Sequence, residues 1–246
     1  PIISYICTQD LKKTSLNVWS NVDLSNNKYI KPYLKYINLK IWYPSKESIG
    51  TPLENRTDLF NNNDSKNWQQ GDLFRILVLN NYGGLYVDFD VVFLRNMSPL
   101  LEQEFMYKWS FQKNMINGAV IRMFKNSKLC KNLLNEMSKN RGSAGSSFNW
   151  SSPLYTKVRS YNKDWTVFPC CFFNTEWQLN LTKEDKKDKE LIKFIRNPMV
   201  STKYSNEFYN GAFTWHWHNS WKDDIEEGSK WSLLEKYYLK KIKDYV

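Results

Sequence analysis

The sequence predicts an α/β fold in a single domain that spans residues 1–246. Segments with the pattern of buried strands alternate along the chain with segments of helical period, which is the order expected of a sheet covered by helices. The chain shows no internal repeat and no convincing linker. Its length allows a full hydrophobic core, and 41% hydrophobic with 24% charged residues is the composition of an ordinary globular protein.

The first elements follow from short local patterns. "PIISYIC" predicts a buried first strand, "LNVWSNV" predicts the start of a helix, and "LKIWYP" predicts a second strand that ends at Pro44. "ENRTDLFNNNDSKNW" is polar and predicts a loop. Apolar residues at helical spacing then predict a helix over residues 68–81, which ends before Gly83 and Gly84.

The remaining elements alternate in the same way. "LYVDFDVVFL" predicts a strand followed by a turn or a second short strand, and "NGAVIRMF" and "WTVFP" predict two more strands. "SKLCKNLLNEMSK" predicts a helix, and "SPLYTKVRSY" predicts another with Pro153 at its first position. "LTKEDKKDKELIK" predicts a charged surface segment, and "WSLLEKYYLKKIKDYV" predicts a basic amphipathic helix at the C-terminal end.

The net charge of +10 leaves several classes of partner open. Nucleic acid, an anionic membrane and a phosphate-bearing ligand all attract a basic protein. The lysines are spread along the chain and no nucleic-acid-binding motif is present, so we expect no nucleic-acid partner. Charge alone keeps nucleic-acid binding as a third hypothesis, which a steep salt dependence of DNA binding would revive.

The cysteines and the hydropathy bear on location. Cys7, Cys130, Cys170 and Cys171 have neither a disulfide-framework spacing nor a zinc pattern, so we expect reduced thiols and a reducing, cytoplasmic compartment. No run approaches the roughly 20 apolar residues of a membrane span. Because the chain begins at Pro1, the Golgi lumen is the alternative location if an N-terminal anchor has been trimmed, and membrane association is then expected.

Two carboxylates stand inside the apolar run "GGLYVDFDVVFL". In an extended segment, residues two apart point to the same side, so Asp88 and Asp90 are expected to converge on one ligand. Two neighbouring carboxylates repel each other unless a cation lies between them, and Mg²⁺ and Mn²⁺ prefer oxygen ligands. The pattern favours a site for a metal and a diphosphate. For an isolated D-x-D, the alternative is an exposed turn with two solvated aspartates.

The surrounding residues carry a resemblance to a known family. Residues 71–75 are G-D-L-F-R, and residues 83–90 are G-G-L-Y-V-D-F-D. This closely resembles the retaining glycosyltransferases with a DXD sugar-binding region, whose pattern is S/A-D-x-x-R followed by G-G-x-Y-x-D-x-D. That family includes yeast-type α-1,6-mannosyltransferases, α-1,4-galactosyl- and N-acetylglucosaminyltransferases and, more distantly, clostridial glucosylating toxins. Gly71 departs from the usual Ser or Ala, which we expect to loosen the helix start.

Weaker matches follow in order up to about residue 221. "INGAVIRMF" is similar to the family's N-G-A strand, and "SSPLYT" is similar to its G-P-x-x-x-T with Ser152 in place of Gly. "FTWHWHNSW" is similar to the closing H-x-x-N motif, where His216 and Asn219 match. His218 stands at a position that is usually aromatic in the family, so it is assigned no role.

The resemblance implies a GT-A-like nucleotide-diphospho-sugar transferase fold with a single Rossmann-related central sheet. It implies transfer of a sugar from a UDP- or GDP-sugar donor to a hydroxyl of a glycan or glycoprotein acceptor, with retention, using Mn²⁺ or Mg²⁺. The implied catalytic residues are Asp72, Arg75, Asp88 and Asp90, and the implied metal ligands are Asp88, Asp90 and His216. The predicted donor-binding residues are Ile6, Thr8, Asp72, Arg75, Tyr86, Asp88, Asn117, Gly118, His216, Asn219 and Trp221.

Each of these assignments has a structural alternative. Asp72 and Arg75 share one helix face and form either a sugar-binding pair or a purely structural ion pair. Asn117 and Gly118 offer the sugar an amide and a close approach to the backbone, or they form a simple turn. At the level of the whole chain, the alternatives are a binding module that holds a nucleotide-sugar or glycan without turnover, and a toxin-like or effector-like enzyme that glycosylates a protein.

Overall fold

The structure is a computed structural model of the 246-residue chain. It describes residues 1–60, 68–110, 115–139, 150–174, 181–206, 211–218 and 222–245. The predicted donor-binding residues Asn219 and Trp221 lie outside this set.

Eight strands within the described residues form three hydrogen-bonded groups. The central group is a mixed four-stranded sheet in the order β3-β6-β5-β7, in which β5 and β7 are parallel and the other pairs are antiparallel. β1 and β2 form a parallel pair, and β4 and β8 form an antiparallel pair. The strands are β1 Leu16–Ser20, β2 Ile37–Ile41, β3 Gly84–Val87, β4 Val91–Phe93, β5 Phe105–Lys108, β6 Ile116–Met123, β7 Thr166–Phe168 and β8 Thr214–His216.

Helices lie between these strands in the chain. They are α1 Ile2–Thr8, α2 Pro44–Glu47, α3 Thr57–Phe60, α4 Trp68–Tyr82, α5 Lys128–Ser138, α6 Ser152–Tyr161, α7 Lys189–Arg196 and α8 Lys230–Lys241. Three of them have a side-chain cap at the N-terminus, because Ser127, Asp188 and Ser229 each accept a hydrogen bond from a backbone N–H of the first turn. No described helix has the length and apolar character needed to cross a membrane.

The central sheet has a hydrophobic core on each face. Phe105 and Tyr107 of β5 belong to the cluster formed with α1, β4, β8 and α8, whereas Met106 belongs to the cluster formed with α4, α5 and α6. This division follows the two-residue alternation of a strand. The inner strand β6 is buried along nearly its whole length, which explains its continuous run of small and apolar residues.

The junction between α4 and β3 sets the position of the D-x-D segment. Gly83 has a φ of +68°, and its N–H donates to the carbonyl of Leu79 at 2.9 Å, which ends the helix. A Cβ at Gly83 would lie 2.8 Å from the backbone nitrogen of Lys125. Glycine is therefore required for both the turn and the close approach, and the chain enters β3 directly after it.

The α/β class is confirmed, and two local predictions are wrong. "PIISYIC" forms helix α1, because the buried Ile2, Tyr5 and Ile6 have the spacing of one helix face. "LNVWSNV" contains strand β1, which is held by its parallel pairing with β2. A short apolar run fits both the helical and the strand periodicity, so its contacts in the tertiary structure determine which of the two forms.

Most other elements agree with the sequence prediction. The helix over 68–81, the strand that ends before Pro44 and the helix with Pro153 near its start are confirmed, as are the later strands and the C-terminal helix. The polar segment before α4 contains the short α3, and β5 was not predicted. The four cysteines are free thiols.

Candidate metal centre and ligand site

The D-x-D residues lie in the turn between β3 and β4. The N–H of Asp88 donates to the carbonyl of Ala119 at 2.8 Å, and the N–H of Val91 donates to the carbonyl of Asp88 at 3.2 Å. The prediction that Asp88 and Asp90 share one side of an extended strand is therefore wrong in its geometry. The turn brings the two carboxylates together instead.

Pairing between β4 and β8 brings His216 to this turn. Val91 lies opposite His216 in the antiparallel register, and the N–H of Trp217 donates to the carbonyl of Asp90 at 3.0 Å. The Nε2 atom of His216 lies 3.2 Å from Oδ2 of Asp90. Residues separated by more than a hundred positions in the chain therefore meet through one strand pair.

Asp88, Asp90 and His216 form a compact cluster of metal-ligand type. One ligand atom from each lies within 4.8 Å of the others. The side chains of Asp90 and His216 are only 6% and 7% exposed, whereas that of Asp88 is 24% exposed. Two carboxylates with one imidazole suit Mn²⁺, and the partly open side at Asp88 leaves room for further ligands from a substrate.

Arg75 of α4 connects this cluster to Asp72. Its guanidinium nitrogens lie 3.2 Å from Oδ1 of Asp72 and 3.3 Å from Oδ1 of Asp88. Burial lowers the pKa of Arg75, but the charge of Asp88, followed by those of other nearby groups, raises it well above its ordinary value. Arg75 is therefore a permanent cation that spans the two carboxylates.

Tyrosines surround the charged groups. The hydroxyl of Tyr86 donates a short hydrogen bond to Asp88, and burial, followed by the charge of Asp88, raises the pKa of Tyr86 well above its ordinary value. The hydroxyl of Tyr107 lies 3.1 Å from Nδ1 of His216. Burial, followed by the charges of Asp88 and Asp90, raises the pKa of Tyr107 well above its ordinary value. Both hydroxyls therefore remain protonated at neutral pH.

Asn117 and Gly118 lie near the start of β6. A Cβ at Gly118 would lie 2.6 Å from a guanidinium nitrogen of Arg75 and 2.7 Å from the hydroxyl of Tyr155. Glycine is thus needed for Arg75 to pass the strand. Oδ1 of Asn117 accepts from the N–H of Ala119 at 2.7 Å, whereas its Nδ2 is buried without a hydrogen-bond partner among the described residues.

His218 lies beside the cluster in a different environment. It has a φ of +51°, its ring centroid is 3.9 Å from that of His216, and its Nε2 lies 2.7 Å from Nδ2 of Asn174. Burial, followed by the proximity of His216, lowers the pKa of His218 to about 3, and the ring is therefore neutral.

Two predicted donor-binding residues, Ile6 and Thr8, lie in α1 and make contacts within the protein. Ile6 is fully buried in the hydrophobic core. The hydroxyl of Thr8 donates to the carbonyl of Ser4 at 2.6 Å and accepts from the side chain of Gln9 at 2.8 Å. These contacts give both side chains a role in packing and in the end of the helix.

Sequence reasoning missed three polar residues around the site: Tyr107, Tyr155 and Asn174. Tyr107 lies on the unpredicted strand β5, and Asn174 directly follows "VFPCCFF", a segment similar to the family's segment before the closing histidine but one that gave Asn174 no role. Tyr155 falls within "SPLYT", so the resemblance placed it in the family pattern without giving it a role. Only the packing against Arg75 reveals its position.

Comparison with known proteins finds a similarity in the first part of the chain. No curated protein matches the sequence. Among solved structures, the chain matches the PaToxG glycosyltransferase with 15% identity and a TM-score of 0.49, over 65% of this chain and 61% of that chain. The family model described as the glycosyltransferase sugar-binding region containing a DXD motif matches residues 12–107, which include Asp72, Arg75, Asp88 and Asp90. Over this range, the chain is similar to the glycosyltransferases with a DXD-containing sugar-binding region.

Proposed function

We propose that this chain is a metal-dependent glycosyltransferase that moves a sugar from a UDP- or GDP-sugar to a hydroxyl group of an acceptor. The observation that carries the proposal is the convergence of Asp88, Asp90 and His216 at one point of the fold, beside the cationic Arg75. The family match over residues 12–107 supports transfer of a sugar as the chemistry. We also propose that the whole chain acts as one domain.

The proposed metal ligands divide into a buried side and an open side. Asp90 and His216 hold the ion from the interior, and Asp88 presents a partly exposed carboxylate toward the substrate. When bound, Mn²⁺ or Mg²⁺ neutralises the charge on the donor diphosphate as the bond to the sugar breaks. The short hydrogen bond from Tyr86 fixes the orientation of Asp88.

The buried polar groups next to the cluster support a polar ligand. Nε of Arg75 and Nδ2 of Asn117 are buried without a hydrogen-bond partner among the described residues. A buried donor without a partner is uncommon in a folded protein, because its desolvation is not compensated. We propose that Asp72, Arg75 and Asn117 bind hydroxyl or phosphate oxygens of the donor.

Retention of the anomeric configuration is the stereochemical part of the proposal, and it rests on the resemblance to retaining enzymes. We propose that the acceptor hydroxyl loses its proton to the leaving phosphate. Anomeric analysis of the product by NMR tests this mechanism, and an inverted linkage would exclude it.

The proposed function is tested by turnover of nucleotide-sugars with and without Mn²⁺. We expect metal-dependent turnover in the wild type, and Asp90→Asn and His216→Ala should each lower it by about 10² or more, the scale of a lost charge-stabilising contact. Asp164→Asn is the matched control, because Asp164 is an exposed aspartate paired with Lys128 at 2.8 Å. Turnover of Asp90→Asn at the wild-type rate would refute the metal assignment.

The donor and the alternatives are resolved by a thermal-shift panel of UDP- and GDP-sugars with Mn²⁺. A ligand that binds only the folded state raises the melting temperature, and at equal concentration a tighter ligand raises it more. Stabilisation by a nucleotide-sugar without any turnover would indicate a binding module. Turnover on a protein acceptor, but not on a glycan acceptor, would indicate an effector-like enzyme.

A further inference from the structure

Tyr107 is a buried residue to which the proposed chemistry gives no role. It lies on β5 with no exposed surface, and its ring packs against that of Phe173 with centroids 5.0 Å apart. Its hydroxyl lies 3.1 Å from Nδ1 of His216. Because strand and ring packing fix the tyrosine, the hydroxyl is held at a set position beside the imidazole.

The other nitrogen of His216 must carry a proton when no metal is bound. Nε2 lies 3.2 Å from Oδ2 of Asp90, and an ionised carboxylate can only accept a hydrogen bond. Nε2–H is therefore the donor in this contact. In a neutral imidazole, Nδ1 is then the acceptor, and the hydroxyl of Tyr107 donates to it.

A metal reverses this arrangement. A histidine nitrogen binds a metal through its lone pair, so Nε2 as a ligand has no proton. The neutral ring keeps one proton, which must then be on Nδ1. A tyrosine hydroxyl both donates and accepts, so Tyr107 can accept from Nδ1–H without movement of its side chain.

We infer that Tyr107 is a positioning residue for His216, which holds the imidazole in place and satisfies Nδ1 in both the metal-free and the metal-bound tautomer. The inference rests on the proposed metal site and adds to it a residue that touches neither metal nor substrate. His218 packs against the same ring at a tilt of 36°, and its own Nε2 lies 2.7 Å from Nδ2 of Asn174.

The first experiment measures the affinity for Mn²⁺ alone, by titration followed by electron paramagnetic resonance. Tyr107→Phe keeps the ring packing and removes the hydroxyl, and we expect its affinity to fall by about 10-fold or more, as for other outer-shell partners of metal ligands. Tyr238→Phe is the matched control. It also removes a buried hydroxyl, which donates to the carbonyl of Phe93 at 2.5 Å, and we expect it to bind Mn²⁺ like the wild type.

The outcomes separate this inference from the proposed function. If the wild type does not bind Mn²⁺, the metal site itself fails. If the wild type binds and Tyr107→Phe binds equally well, or if both tyrosine variants lose affinity to the same extent, the role of Tyr107 is refuted while the metal site stands.

A second experiment observes the tautomer directly. The chain contains two histidines, so a ¹⁵N-histidine NMR spectrum contains two imidazole spin systems. We expect the proton of His216 on Nε2 without metal and on Nδ1 with diamagnetic Zn²⁺. In Tyr238→Phe, which loses a buried hydroxyl away from His216, we expect the proton to move from Nε2 to Nδ1 on Zn²⁺ binding as in the wild type. A proton on Nδ1 and not on Nε2 in the metal-free wild type would overturn the inference.

Discussion

Two neighbouring helices each carry an acid and a base three residues apart, together with a third charged group from another element. On α4 and the turn after β3, these residues form the buried triad, Asp72, Arg75 and Asp88. The surface triad consists of Glu136 of α5, Lys139 directly after the end of α5, and Lys157 of α6. The local spacing is the same, but the two triads differ in burial and in the balance of charge.

The buried triad has two acids around one base, and the surface triad has one acid between two bases. The side chains of Asp72 and Arg75 are 9% and 12% exposed, whereas Glu136 is 7% exposed but its partners Lys139 and Lys157 are 64% and 62% exposed. Burying charges carries a large desolvation cost that their mutual attraction need not recover, while exposed pairs add little to stability. Stability alone therefore does not account for the buried triad, and this supports a role in ligand binding.

The largest difference should appear when one acid of each triad is neutralised. Asp88→Asn removes a proposed metal ligand and a partner of Arg75, and we expect turnover to fall by about 10² or more. Glu136→Gln should leave turnover at the wild-type level. Steady-state rates of the two variants, measured on the same donor, check this. Equal losses in both would show that the triads do not differ in function.

Exchange of the base in each triad should give a smaller effect. Arg75→Lys keeps the charge but cannot span Asp72 and Asp88 with a planar fork of donors, so we expect turnover to fall more than nucleotide affinity. Lys139→Arg should change neither. Rates and nucleotide binding are compared by kinetics and calorimetry. If nucleotide binding falls as much as turnover, Arg75 serves the phosphates or the fold rather than the sugar.

Two glycines beside Arg75, Gly118 and Gly71, differ in how closely they pack against it, and alanine substitutions should show the difference. Gly118→Ala places a Cβ against Arg75 and Tyr155, and we expect a loss of about 1–3 kcal/mol in the free energy of unfolding, as for other overpacked sites. Gly71→Ala places its Cβ 3.8 Å from Arg75, an ordinary contact, and should stabilise α4 by about 0.5–1 kcal/mol. Urea denaturation of both variants measures these changes, and a stable Gly118→Ala would contradict the packing argument.

The smallest effect concerns pH and the surface triad. Hydrogen bonds from Lys139 and then Lys157 lower the pKa of Glu136 below its ordinary value of 4.5. Because the folded pKa is the lower one, the stabilisation is present above pH 4.5 and is lost as the pH falls through the folded value. We expect at most about 1 kcal/mol, since both lysines are largely exposed. Melting temperatures of wild type and Glu136→Gln should converge in acid, and a constant gap would exclude this linkage.

The local sequence was sufficient to predict an element where the hydrophobic periodicity and the residues that end a helix or strand agree. The sequence correctly predicted helix α4, the glycines that end it and the strand that leads to Asp88. Helical spacing of apolar residues, glycine at a positive φ and short apolar strand runs are all local features of the chain. The D-x-D segment and the acid–base spacing of α4 likewise pointed to the candidate site. The same reasoning failed for α1 and β1, whose short apolar runs fit more than one period.

By itself, the sequence determined which chemistry is available: three aspartates, an arginine and two histidines in motifs that resemble those of a glycosyltransferase family. Only the tertiary structure decided which of them meet. These meetings depend on contacts between residues about a hundred positions apart in the chain. They include the turn at Asp90, the β4–β8 pairing that selects His216, and the contact of His216 with Tyr107 on an unpredicted strand. No local pattern encodes such contacts, because strand register is set by the packing of both sheet faces and not by neighbours in sequence.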